Sequence, residues 1–197
     1  MLSNFGIFFS CAALLTSIIL IYHSFYETKN LEKIISKKIY KLSSTQLIFS
    51  LLSFLTLLIG YVVSDFSMVN VYENSHTSKP LIYKISGTWG NHEGSMLLWI
   101  NILVIFSFLF LFLQKNKNKN FKIITLIFQN LLISIFFIFL LTNSNPFSPI
   151  FPIPKEGMGL NPILQDPALA IHPPLLYFGF VGSSIYFSIA LAASPEK

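Results

Sequence analysis

Five long apolar runs, almost free of charge, constrain this chain more than any other feature. A run of about 18 or more apolar residues covers roughly 30 Å of hydrocarbon as a helix. Inside a bilayer a helix also satisfies its own backbone donors and acceptors. The runs are Phe5–Phe25, Leu47–Val63, Met96–Leu113, Ile123–Leu141 and Pro174–Ala193. They predict an all-α integral membrane protein, a single membrane domain over residues 1–197 with two long ordered loops at 65–95 and 142–173. Nothing basic precedes the first run and it exceeds a signal-peptide core, so it reads as a retained anchor. Charged residues are 11% of the chain, against roughly 25% in a soluble domain, and a soluble enzyme is excluded. The lone Cys11 lies inside the first run, which excludes an intrachain disulfide, a CxxC redox pair and a thiolate metal cluster.

The net charge of +5 comes from lysine alone, because the chain has no arginine. Lys29, Lys33, Lys37, Lys38 and Lys41 lie between the first two runs, and Lys115, Lys117, Lys119 and Lys122 between the third and fourth. The two long loops hold Lys79, Lys84 and Lys155 beside Asp65, Glu73, Glu93, Glu156 and Asp166. Positive-inside weighting puts the lysine connections and carboxyl terminus inside, the amino terminus and both long loops outside. A charge confined to two connections suits the lipid bilayer as neighbour and gives no aromatic-rich surface for nucleic acid. Leu31, Ile34, Ile35, Ile39 and Leu42 fall near helical spacing with Lys33, Lys37 and Lys41 between them, which fits an amphipathic helix on the headgroups or a solvated basic connector. The Lys115–Asn120 run is low in complexity and reads as a turn at the inner face. No internal repeat is visible. The abundance of Phe, Ile, Asn and Lys points to AT-rich coding and an organelle gene.

Eight of the ten prolines fall between Thr142 and Pro174, so the second outer loop can be ordered without being regular. His172 precedes Pro173, which biases its backbone to extended conformation, and Pro173 and Pro174 suit the first turn of the fifth helix. An imidazole at that mouth is disfavoured as imidazolium by the helix dipole, leaving a neutral nitrogen for a metal; a hydrogen-bonded structural histidine is the other reading. In the first outer loop Gly90 and Gly94 flank His92 and Glu93. Trp89 and Trp99 can wall a planar ligand or anchor the interface. His92 and Glu93 fall short of a zinc site and lack a nucleophile, so they either cap the third helix or line a site. His23 and His76 read as uninvolved. Asn101, Gln129 and Asn130 lie within runs and should face partner helices, as should the small pair Gly179 and Ser183. A transporter fits poorly, since no charge lies clearly within a run.

Two ordered sets of motifs carry a resemblance. Asp65-Phe66-Ser67, Val71 to Ser75, Tyr83 to Ser86 and Trp89-Gly90-Asn91-His92-Glu93-Gly94-Ser95 are followed by Asn145-Pro146-Phe147, Leu160-Asn161-Pro162, Gln165-Asp166-Pro167 and His172-Pro173-Pro174-Leu175-Leu176-Tyr177. In this order they resemble the amino-terminal part of the CcmF family of cytochrome c haem lyases, over nearly the whole chain. The resemblance implies a role in joining haem to the CxxCH cysteines of apocytochrome c on the outer face of the membrane. It implies haem b as substrate or bound intermediate and His172 as an axial ligand to its iron. Trp89, His92, Glu93, Asn161, Gln165, Asp166, Pro173, Pro174 and Tyr177 are then residues of the haem site or shapers of its loops. The family's tryptophan-rich motif, second external histidine and membrane histidines have no counterpart here. The expectation is therefore an amino-terminal fragment of a split haem lyase, not catalytic alone. Its expected partners are the chain or chains carrying the tryptophan-rich motif, other cytochrome c maturation proteins and apocytochrome c. The expected location is the mitochondrial inner membrane, with the bacterial plasma membrane as alternative and the motif loops in the intermembrane space or periplasm. A structural membrane subunit with no haem contact is the competing reading.

Overall fold

The computed structural model of the chain describes residues 1–30, 34–114, 118–162 and 165–193. Leu31, Lys33, Lys115 and Lys117, used above in reading the lysine connections, lie outside the described residues. The elements are helices α1 (Leu2–Thr28), α2 (Lys37–Val63), α3 (Val69–Asn74), α4 (Leu81–Gly87), α5 (His92–Leu113), α6 (Lys119–Asn143), α7 (Pro167–Gly182) and α8 (Ser184–Ala193). Five segments are long and apolar enough to cross a membrane, with α7 and α8 together forming the fifth. The chain is thus an all-helical integral membrane protein, as its apolar runs predict.

Helices α1 and α2 run antiparallel with small polar residues between them. On α1 the buried positions Ser3, Gly6, Ser10, Ala13, Ser17, Leu20, Ser24 and Glu27 alternate by three and four, the spacing of a coiled-coil seam. The serines among them recur every seventh residue, a short repeat that the sequence reading passed over. Ser10 and Ser53 hydroxyls meet at 2.7 Å. Such small residues let backbones approach where lipid offers no hydrophobic drive for association. Asn130 of α6 closes the interior: it accepts from Gln46 at 2.9 Å and from Ser17 at 3.2 Å. Gln129 joins α6 to α8 by donating to Ser184 at 3.1 Å and accepting from Ser188 at 2.8 Å. Gln129 and Asn130 therefore face neighbouring helices, as expected, whereas Asn101 is buried but donates within its own helix to the Leu97 carbonyl at 2.9 Å.

Several helices are longer than the apolar runs because hydrogen bonding continues past the last apolar residue. Helix α2 begins at Lys37. Among the described residues of that region neither a separate surface helix nor a solvated connector accounts for Ile35 and Ile39: both are buried with Leu111, Ile123 and Leu126, and Ile39 lies in the first turn of α2. The fifth span begins at Pro167, before Pro174, because Asp166 caps it by accepting from the Ala168 and Leu169 amides. His172 consequently lies inside α7 and not in extended backbone before a helix; the cap outweighs the bias that a following proline imposes. Gly179 and Ser183 do not face the bundle. Nothing lies within 4 Å of a Cβ built on Gly179, and Ser183 is exposed.

Candidate functional site

The motif loops gather at one end of the bundle around a buried polar knot. Asn91 caps α5 by accepting from the Gly94 amide at 2.8 Å and donates to the Tyr61 hydroxyl at 2.8 Å and the Gly87 carbonyl at 2.7 Å. Tyr61 donates to Asn70 Oδ1 at 2.7 Å. Asn70 donates to Asn91 Oδ1 at 2.8 Å and to Glu93 Oε2 at 3.1 Å. Three segments of chain thus satisfy one another's polar groups, which burial would otherwise penalise. Gly94 has no room for a side chain, since a Cβ there would lie 1.7 Å from the Thr88 carbonyl oxygen.

Trp89 connects this knot to α7. Its indole Nε1 donates to the Ala170 carbonyl at 2.8 Å. Proline at position 174 has no N–H to offer the carbonyl four residues earlier, so the indole replaces the helix bond that Pro174 removes. Ser95 donates to the Trp89 carbonyl at 2.6 Å, and Tyr177 lies 3.4 Å from the same serine hydroxyl. Between these groups lies a cavity of about 430 Å³, walled by Trp89, His92, Ser95, Leu169, Pro173 and Tyr177 among others. A smaller one of about 260 Å³ adjoins it, sharing His92, Ser95 and Tyr177 and reaching Trp99.

The second long loop is strapped across the first. Val69 and Ile150 amides donate to the Ser148 and Ser67 carbonyls at 2.9 Å each, and Met158 and Gly159 amides to Tyr72 and Ser75 at 2.8 and 3.0 Å. Phe147 enters beside α1, where Ser3 donates to its carbonyl at 2.6 Å. Glu156 takes the Thr77 amide at 2.9 Å and its hydroxyl at 2.5 Å, which holds its carboxyl down at about 2. His76 stands 3.8 Å from Glu156, so it belongs to this strap rather than standing apart. Burial, aided by Lys84, lowers Lys79 to about 8.

The candidate residues separate into three places. Trp89, His92, Pro173 and Tyr177 share the cavity. Glu93 belongs to the knot, Asp166 caps α7, and Gln165 donates to the Leu160 carbonyl at 3.1 Å, all shaping loops. Asn161 is exposed and Pro174 half-buried. His172 is on α7's other flank, exposed and, among the described residues, without a hydrogen-bond partner. Around it on the same flank are Ile171, Leu175, Leu176 and Phe180, 52–68% exposed, with Gly179 open between them. An exposed imidazole among exposed apolar side chains is a group that could ligate a metal ion beside an apolar ligand face. Tyr61 and Asn70 carry no sequence signal of this role: Tyr61 lies near the end of the second apolar run and Asn70 beside the first motif of the outer loop.

Comparison with known proteins places these features in context. Residues 89–196 match a family model described as Cytochrome C assembly protein. Cytochrome c-type biogenesis protein CycK of Rhizobium meliloti (strain 1021) is 55% identical over 144 residues, 73% of this chain and 21% of the relative. Cytochrome c-type biogenesis protein CcmF of Escherichia coli (strain K12) is 41% identical over 142 residues, 72% of this chain and 22% of the relative. The solved structure titled Cytochrome c Heme Lyase CcmF superposes with a TM-score of 0.82 over 98% of this chain and 30% of that one, at 24% identity, a likeness of fold. The chain spans about a fifth of the length of the curated relatives it matches, 21% of the first.

Proposed function

Because the chain belongs to the cytochrome C assembly protein family, we propose that it works in cytochrome c maturation as a subunit that binds and positions haem for attachment to the CxxCH cysteines of apocytochrome c. The observation that carries this reading is the exposed His172 on the apolar outward flank of α7. His172 offers a ring nitrogen to the iron, while Leu175, Leu176 and Phe180 give an apolar wall and Gly179 leaves room for close approach. Haem supplies the iron for ligation and the vinyl groups that take up cysteine thiols. The protein's part is to hold the imidazole still: the Asp166 cap, the two prolines and the Trp89 bond fix the start of α7.

One histidine leaves an axial position to be filled and one apolar wall leaves the other face open, so a further polypeptide of the maturation machinery completes the site. That partner carries a tryptophan-rich haem-handling surface and the second ligand, and apocytochrome c is the acceptor. The amino terminus and motif loops face the outer compartment, the intermembrane space if the chain is mitochondrial and the periplasm if it is bacterial. The lysine distribution supports this orientation, and the AT-rich coding supports the mitochondrial inner membrane.

The test is to copurify the chain with its membrane partners and compare the haem absorption of wild type with that of His172→Ala. The Soret band and c-type cytochrome formation should fall together while helicity and thermal stability hold, because His172 is exposed and makes no hydrogen bond among the described residues. Unchanged haem absorption with undiminished cytochrome would return the chain to a structural role. Cysteine labelling at Lys155 and at Lys38 from each side of the membrane checks the orientation.

A further inference from the structure

The opposite end of the bundle carries a cavity that plays no part in the reading above. It measures about 430 Å³ and lies between the end of α1 and the start of α2, walled by Tyr22, His23, Tyr26, Glu27, Ser36 and Lys38 among others. Its side-chain chemistry is that of donors: two phenols, an imidazole and an ammonium. Glu27 contributes little free negative charge, because it is 5% exposed, stands 3.5 Å from Lys119 Nζ and accepts from the Ser36 amide at 3.1 Å. Lys29, Lys37 and Lys41 are exposed at the same end.

The cavity has an apolar approach. Leu15, Ile18 and Tyr22 recur at helical spacing on α1 and are 58%, 48% and 68% exposed, a stripe that leads along the helix into the cleft. Tyr22 belongs to both, and its ring meets His23 edge-on at 5.4 Å. A ligand suited to the whole feature has an anionic head at the depth where lysines and tyrosines gather and a hydrocarbon tail on the membrane side. We propose that this cleft binds the phosphate of an anionic phospholipid, with an acyl chain lying along the α1 stripe. Lys38 meets the phosphate directly, as a charge-assisted donor. His23 and the tyrosine hydroxyls bond its remaining oxygens. The ammonium of a zwitterionic lipid finds no unpaired carboxylate among the lining residues named, so anionic headgroups are selected.

Native mass spectrometry of the full chain released from detergent tests this, with phosphatidylglycerol, phosphatidylcholine and inorganic phosphate as probes. Wild type should retain one phosphatidylglycerol in preference to phosphatidylcholine. The His23→Gln, Lys38→Gln variant should lose it by about tenfold in occupancy, the loss expected for removal of charge-assisted bonds. Lys38→Arg should retain the lipid, and Lys155→Gln, exposed in the loop at the other end of the bundle, should leave it unchanged; these two variants separate a lost site from a misfolded chain. Retention undiminished in the double variant overturns the proposal. Displacement of the lipid by inorganic phosphate alone also overturns it, because the cleft would then be a phosphate site without use for the tail.

Discussion

The two flanks of α7 could hardly differ more. The flank towards α5 is tied down: Trp89 holds the Ala170 carbonyl, Tyr177 reaches Ser95, and Pro173 walls a cavity. The flank turned outward has an exposed imidazole and a row of apolar side chains that stay more than half exposed, although Phe180 at its end touches the Trp99 ring with centroids 6.0 Å apart. A helix this rich in proline is weak on its own, since each ring removes a backbone bond and crowds the preceding turn. The inner flank supplies one of the two missing bonds, at the Ala170 carbonyl, from outside the helix, and the outer flank is thereby presented in one orientation. Rigidity on one side is what makes availability on the other useful, because an unanchored histidine would lose conformational entropy on every binding event. The rest of the bundle sharpens the contrast: the fifth span buries 28% of its most apolar window against 56% for α6.

Breaking the tied flank at its base should have the largest effect. Gly94→Ala forces a Cβ into the Thr88 carbonyl, and unfolding in detergent should show a loss of about 3 kcal/mol or more. Asn91→Ala removes the α5 cap and leaves Tyr61 and Asn70 short of partners, so a loss of about 2–3 kcal/mol is expected by the same measurement. Trp89→Phe strands the Ala170 carbonyl and should cost about 1–2 kcal/mol. This cost should shrink in a Pro174→Ala background, where the backbone N–H at 174 restores the helix bond; an undiminished cost in the double mutant would refute the replacement of one bond by the other. Ser17→Ala, which touches neither flank, should cost about 0.6 kcal/mol, the typical value for a hydrogen bond within a membrane bundle.

The smallest effect concerns the strap between the outer loops. Glu156 is held at about 2 by Thr77, below its ordinary 4.5. A lowered carboxyl contributes fully above its unfolded value, and that contribution fades as pH falls from 4.5 toward 2. Amide exchange at Thr77 should accordingly speed up over that window in wild type. In Glu156→Gln it should already be fast near neutrality and independent of pH there, once intrinsic exchange is divided out.

Much of the fold was legible in the sequence because a membrane helix announces itself locally. The five runs located the spans, and polar residues such as Gln129 and Asn130 correctly pointed inward. The ends were less legible: α2 continues to Lys37 and α7 to Pro167 because hydrogen bonds and caps, not hydropathy, decide where a helix stops. The Asp166 cap is visible in the sequence as Asp followed by Pro, a helix start signal, and it prevails over the competing start that Pro173 and Pro174 offer. At the site, Trp89, His92, Pro173 and Tyr177 do gather, whereas His172 turns away from them; one residue along the helix, about 100° of rotation, separates His172 from Pro173.

The amino-acid order alone determined that this chain is helical and built for a bilayer, since each span closes its own backbone bonds with neighbours three or four places away. The serine heptad of α1 is equally local. Tertiary structure decided which carbonyl the Trp89 indole takes, a partner 81 residues distant, and hence which flank of α7 is closed and which is left open. Contacts of that separation depend on how whole helices pack, and no local pattern encodes them.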